Sequence, residues 1–188
     1  MKQLRILKVL PMLILILLSA CASQKTGTDA TVQNTQADIP LTSKYDNIVF
    51  YEFETTDEIK NDYPEAANEC LASAMSGLLM KNVYKKVAKS NDSNHSGLTL
   101  LVKTKIPEMR IVSTGARIWG GALAGSSYMN MEIEFIDAAS GKVLRTKSIS
   151  SSSNAFAAAW TGGSNDKSLP ADMGKILADY IVATVPSR

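Results

Sequence analysis

Few residues of this 188-residue chain could do chemistry: two cysteines, Cys21 and Cys70, and one histidine, His95. Nucleophilic catalysis needs a base held against the nucleophile, and a histidine-rich metal site needs a second ligand of the same kind. His95 has no such companion in the sequence, and it falls within residues 90–97, a Ser/Asn/Asp/Gly run that predicts a solvated loop. Asp57, Glu58, Asp62 and Glu65 gather where a helix is about to begin, so the helix dipole accounts for them without acid–base chemistry. Glu132 and Glu134 alternate with apolar residues, as on the wet face of a strand. The segment Gly120 to Ser127 echoes a phosphate loop, but Ser126 stands where the lysine would be and a strand pattern follows, which argues against nucleotide binding. These residues predict a protein that is not an enzyme and needs no metal or other cofactor.

Cys21 has a different context. Lys2, Arg5 and Lys8 are followed by an uncharged run from Val9 to Leu18 and then by small residues, the three-part layout of an export signal. A membrane-spanning helix needs about 20 apolar residues, more than this run supplies, so the segment reads as cleaved. Ala20-Cys21-Ala22 fits the small-x-small site of an ordinary signal peptidase, but Leu18-Ser19-Ala20-Cys21 resembles the lipobox of bacterial lipoproteins, and that reading is favoured. The resemblance implies a signal peptide over 1–20, a diacylglycerol on the Cys21 thiol, and a chain held to the lipid bilayer through acylated Cys21. Each buried methylene contributes about 0.8 kcal/mol, so several acyl chains anchor stably. Ala22 and Ser23 follow the cysteine where an aspartate would favour the inner membrane, which implies an outer-membrane, periplasm-facing location in the cell envelope.

The net charge of +2 belongs to the whole chain. Residues 1–20 hold three of the basic residues and no acidic one, leaving 17 Lys+Arg against 18 Asp+Glu from Cys21 onward. That balance gives no footprint for nucleic acid. With Cys21 lipidated, Cys70 has no partner for an intramolecular disulfide and reads as a small buried hydrophobe on a helix.

These features sit on a simple framework. Residues 21–46 are mostly Thr, Gln, Ser, Ala, Asp and Asn, too polar to offset the entropy of ordering, and predict a flexible tether with an r.m.s. reach of about 25–30 Å. Residues 47–188 are of a size for one domain. The run from Asn47 to Glu54 is apolar on both faces, as in a covered sheet. Asp62-Tyr63-Pro64-Glu65 reads as a capping box opening a helix with Ala67, Cys70, Leu71, Ala74, Met75 and Leu78 on one stripe. Gly77 inside that helix predicts close packing against a neighbour. A short strand near 84–88, a strand over 98–106 interrupted by Pro107, and a hairpin from Tyr128–Asp137 into 143–149 follow. The stripe Leu169, Met173, Ile176, Leu177, Tyr180, Ile181 and Val185 closes the chain as a helix. The order predicts an α+β fold: a two-layer sandwich of two amphipathic helices on a mostly antiparallel sheet.

Met109-Arg110-Ile111, Gly115-Ala116-Arg117, Gly120-Gly121, Gly125, the strand to Asp137 and then Ser140-Gly141 resemble a family of small bacterial lipoproteins of unknown function. The resemblance covers residues 45–188. That family in turn resembles the periplasmic domains of the curli-secretion lipoprotein and of peptidoglycan-synthase activator lipoproteins, which implies an anticodon-binding-like fold used for protein contacts and brings no catalytic residue.

Two glycine- and alanine-rich segments carry large side chains: Arg117, Ile118, Trp119 and Leu123 in one, Phe156 and Trp160 in the other. Trp and Arg are frequent interface anchors, so these six residues form a candidate interface for an envelope protein partner or a homo-oligomer. The competing reading packs both tryptophans under loops at the sheet end. An alternative function is a glycan or small-molecule binding module with Trp119 and Trp160 as stacking platforms.

Overall fold

The computed structural model describes residues 38–91, 95, 97–153 and 164–188. Cys21, Phe156 and Trp160 lie outside them.

Six strands form one sheet: β1 (Asn47–Phe50), β2 (Glu54–Thr55), β3 (Lys86–Lys89), β4 (Thr99–Arg110), β5 (Tyr128–Asp137) and β6 (Val143–Ser152). Their order is β3-β1-β4-β5-β6, with β2 also on β4. The fold is the expected α+β sandwich, but the sheet is mixed. β1 runs parallel to β3 and β4, and β2 parallel to β4, whereas β4–β5 and β5–β6 are antiparallel. The helices between β1 and β3 return the chain to the end it started from, which makes that pair parallel. Ile48, Val49 and Phe50 are all buried, which is why β1 is apolar on both faces. β1 stops before Tyr51, and Phe53 joins Ile48 and Phe50 in the core. β4 continues past Pro107 by a register shift between Lys105 and Glu108.

Helix α1 (Asp57–Asp62) is capped by Thr56, whose Oγ1 accepts from the Ile59 N–H at 3.3 Å. It displaces the expected capping box. Asp62 ends α1, and α2 (Ala66–Lys81) begins behind Glu65 with no side-chain cap. The terminal helix α5 (Leu169–Thr184) packs on α2 across the sheet face, burying Cys70, Ala74, Leu78, Met173, Leu177 and Ile181 together. Glycine sets this approach: a Cβ at Gly174 would lie 2.2 Å from the Cys70 carbonyl oxygen, and one at Gly77 would lie 2.9 Å from the Ala178 Cβ. Burial pushes the Cys70 thiol up to about 12, so it stays protonated and behaves as an apolar side chain.

Residues 38–46, assigned by composition to the tether, pack on this domain. Asp38 pairs with Lys147 at 2.9 Å and accepts from the Tyr180 hydroxyl at 2.7 Å, and Leu41 donates its N–H to the Thr184 carbonyl. Tyr45 is buried and donates to Asp137 at 3.0 Å. The same Asp137 closes the β5–β6 turn by accepting from the Ser140 N–H and hydroxyl at 2.8 and 2.7 Å, with Gly141 at φ 68°. His95 is half-buried outside any helix or strand, less exposed than its polar neighbours implied.

Candidate functional site

The glycine-rich connection between β4 and β5 is helical. Ser113 leaves β4 in an extended conformation and its Oγ accepts from the Ala116 N–H at 3.2 Å, starting α3 (Thr114–Gly120). Gly121, at φ 52°, breaks α3 into a 3₁₀ turn over Gly121–Ala124, and Gly125, at φ 86°, releases the chain to β5. Both positions need backbone conformations that favour glycine.

Successive residues on a helix point about 100° apart, and α3 splits its large residues accordingly. Ile118, Trp119 and Leu123 are 68%, 91% and 97% exposed. Arg117 points the other way and is buried, so it is no projecting anchor. Its Nε and Nη2 donate to Asp166 Oδ2 and Oδ1 at 2.7 and 2.9 Å, and Nη1 donates to the Gly125 carbonyl at 2.6 Å. Asp166 belongs to α4 (Ser164–Lys167) and accepts further from Ser127 Oγ and Ser153 Oγ at 2.6 and 2.7 Å. Ser127 Oγ in turn accepts from the Val112 N–H at 2.8 Å. One buried network therefore ties α3, the ends of β4, β5 and β6, and α4.

The electrostatics follow from that geometry. Burial alone would raise the Asp166 carboxyl, but the Arg117, Ser127 and Ser153 hydrogen bonds outweigh it and hold the group at about 2. A carboxylate so acidic is a poor general base, and Ser127, wholly buried between Asp166 and Val112, is shielded from any substrate. The network is a clamp. Among the described residues, no group of three or more His, Cys, Asp or Glu could hold a metal ion.

Of the six sequence-predicted interface residues, Ile118, Trp119 and Leu123 are exposed, Arg117 is turned inward, and Phe156 and Trp160 lie outside the described residues. Asp166, Ser127 and Ser153 were not expected. Nothing local to Arg117 in the sequence signalled them, because Asp166 lies 49 residues away on another element.

A sandwich of two long helices on a mixed sheet, with α3 tied to the sheet end by a buried ion pair, defines a small α+β domain. The chain belongs to the family described as "Domain of unknown function (DUF4410)", which matches residues 26–183. Its fold is similar to that of PelC from Paraburkholderia phytofirmans, solved as a dodecamer, with TM-score 0.51 and 14% identity over 75% of this chain and 94% of that one. A DUF330 protein from Xanthomonas campestris aligns with TM-score 0.49 and 8% identity over 77% of this chain and 91% of that one. Lipoprotein GNA1162 from Neisseria meningitidis gives TM-score 0.33 and 12% identity over 56% and 78%. No curated protein matches by sequence.

Proposed function

We propose that this chain is a non-enzymatic lipoprotein of the bacterial cell envelope that binds an envelope protein, or a further copy of itself, through the outer face of α3. Trp119 carries the reading: its indole is 91% exposed on a helix whose opposite face is fixed by a buried ion pair. An aromatic presented on a rigid support loses little freedom on binding, and tryptophan is among the commonest binding hot spots. PelC, which shares the fold, assembles as a dodecamer, which supports self-association as one form of that contact. Attachment to the periplasmic face of the outer membrane through acylated Cys21 rests on the Leu18–Cys21 pattern and on Ala22 and Ser23 behind it.

The test is affinity capture from detergent-solubilised membranes with wild type and Trp119→Ala. Partner recovery should fall at least about 30-fold in affinity terms, the loss of a hot spot. Equal recovery by both proteins refutes the α3 reading. Retention on immobilised saccharide without any protein partner moves the assignment to glycan binding.

A further inference from the structure

Residues 38–45 run beside the last turns of α5 and the edge strand β6. The Asp38 carboxylate accepts from the Tyr180 hydroxyl at 2.7 Å and pairs with Lys147 at 2.9 Å. Arg145 Nη2 donates to the Ile39 carbonyl, and the Leu41 N–H donates to the Thr184 carbonyl at 2.8 Å. The Tyr45 N–H donates to the Pro186 carbonyl at 2.9 Å. The two ends of this segment are held in different ways. Tyr45 is buried in the core, whereas within residues 38–44 only Leu41 packs against it. Ile39, Pro40, Thr42, Ser43 and Lys44 are exposed, so little apolar burial holds the segment. What closes it is the Asp38 carboxylate. Its ion pair with Lys147 is largely withdrawn from water and is screened less than a surface pair. The donors are fixed in turn: Lys147 lies 5.9 Å over the Tyr180 ring, which stacks on Phe135 at 5.8 Å. Position matters as well. Tyr45 meets Asp137 at the turn of the hairpin, whereas Lys147 pairs with Ile133, four residues along β5 and about 13 Å nearer to α3.

We propose that residues 38–44 are a strap, hinged at Tyr45 and latched by Asp38, that sets where the lipid tether leaves the domain and how long that tether is. This rests on the lipid-anchor reading above and adds a device that positions the domain. Cys21 and Asp38 are 17 positions apart, at most about 55–60 Å of chain. Cys21 and Tyr45 are 24 positions apart, at most about 80–85 Å. The closed latch therefore takes up about 25 Å of reach and moves the outlet from the hairpin turn towards the middle of β6. Opening it gives the same chain a second, longer tether without unfolding the domain.

The experiment takes the full lipidated chain as wild type, Asp38→Asn, Lys147→Gln and Lys147→Arg, and reads two quantities. The first is hydrogen exchange at the Leu41 N–H. It should quicken about 10-fold or more in Asp38→Asn and Lys147→Gln, the loss of a charge-assisted contact, and stay near wild type in Lys147→Arg. The amides of the β4–β5 ladder and the urea midpoint should barely move, because the strap opens apart from the domain. The second is energy transfer to acceptor lipid in vesicles from a dye on Lys105→Cys, an exposed site paired with Glu132 and so level with the closed outlet. Cys70 is buried and leaves that thiol as the one to label. Transfer should fall in Asp38→Asn and Lys147→Gln. Unchanged Leu41 exchange overturns the proposal, and so does a loss of protection spread evenly through β4 and β5, which would make the segment part of the fold. Faster Leu41 exchange with unchanged transfer overturns the control of tether length. Wild type that does not stay on vesicles brings down the lipid-anchor reading, and the outlet with it, whatever Leu41 shows.

Discussion

Arg117 and Asp166, 49 residues apart in sequence, meet as a bidentate pair at 2.7 and 2.9 Å with both side chains withdrawn from solvent. Their union decides what α3 can present: the arginine faces inward so that Trp119 and Leu123 face out. Removing one partner of a buried pair strands the other charge. Asp166→Ala should therefore cost about 3–5 kcal/mol, measured as the shift in urea midpoint at constant slope. A loss below about 1 kcal/mol would show that the guanidinium is not dependent on this carboxylate.

The same pair sets an acid response. The Asp166 carboxyl titrates at about 2 in the folded chain, below the unfolded value near 3.9. A lowered folded value means the unfolded state binds the proton first, so this contribution is complete above about pH 4 and is lost as pH falls towards 2. Asp137 and Asp38 are also held below their usual range, Asp137 chiefly by Ser140 and Asp38 chiefly by Lys147. Wild type should lose stability across that window. Asp166→Asn should start lower and fall less steeply, and pH-resolved chemical denaturation gives both slopes.

Local periodicity made much of the fold legible. The stripes of α2 and α5 and the alternation of β5 are short-range patterns, and they appear where the residues put them. Pairing direction was harder, because nothing within Ile48-Val49-Phe50 says whether its neighbours run parallel. Helix α3 was hidden by its glycines, which lower helix propensity, and is held instead by the Ser113 cap and by the distant Asp166. The inward turn of Arg117 was likewise invisible, since its partner lies on another element. Trp119 and Leu123 were legible as large groups among small ones, although only the packing shows that they stay exposed.

The contact between α2 and α5 gives a graded packing test. Gly174 faces backbone, the Cys70 carbonyl, whereas Gly77 faces only the Ala178 side chain. Gly174→Ala should destabilise by about 3 kcal/mol or more, and Gly77→Ala by distinctly less because a methyl neighbour can shift. Leu177→Ala, at a fully buried site, should cost about 2–5 kcal/mol. Thermal or urea unfolding of the three variants ranks them. A neutral Gly174→Ala would mean the helices sit farther apart.

Lipid attachment is expected to depend on one thiol. Cells fed a clickable fatty acid should label the wild-type chain and not Cys21→Ser, and the unlabelled variant should leave the membrane fraction, since the anchor is the acyl chains. Equal labelling of both proteins would remove the lipoprotein reading, while the α3 face would stand on its own evidence.

Trp119 offers the most direct check on the surface that the functional reading uses. The chain has two tryptophans, so Trp160→Phe leaves Trp119 as the lone indole. At 91% exposure that indole should emit near the wavelength of tryptophan in water and be quenched by iodide almost as freely as a model compound. Its truncation to alanine should change unfolding free energy by no more than about 1 kcal/mol, because little packing is lost on an exposed face. A buried indole behaves in the opposite way, with blue-shifted emission, protection from iodide and about 3–5 kcal/mol lost on truncation.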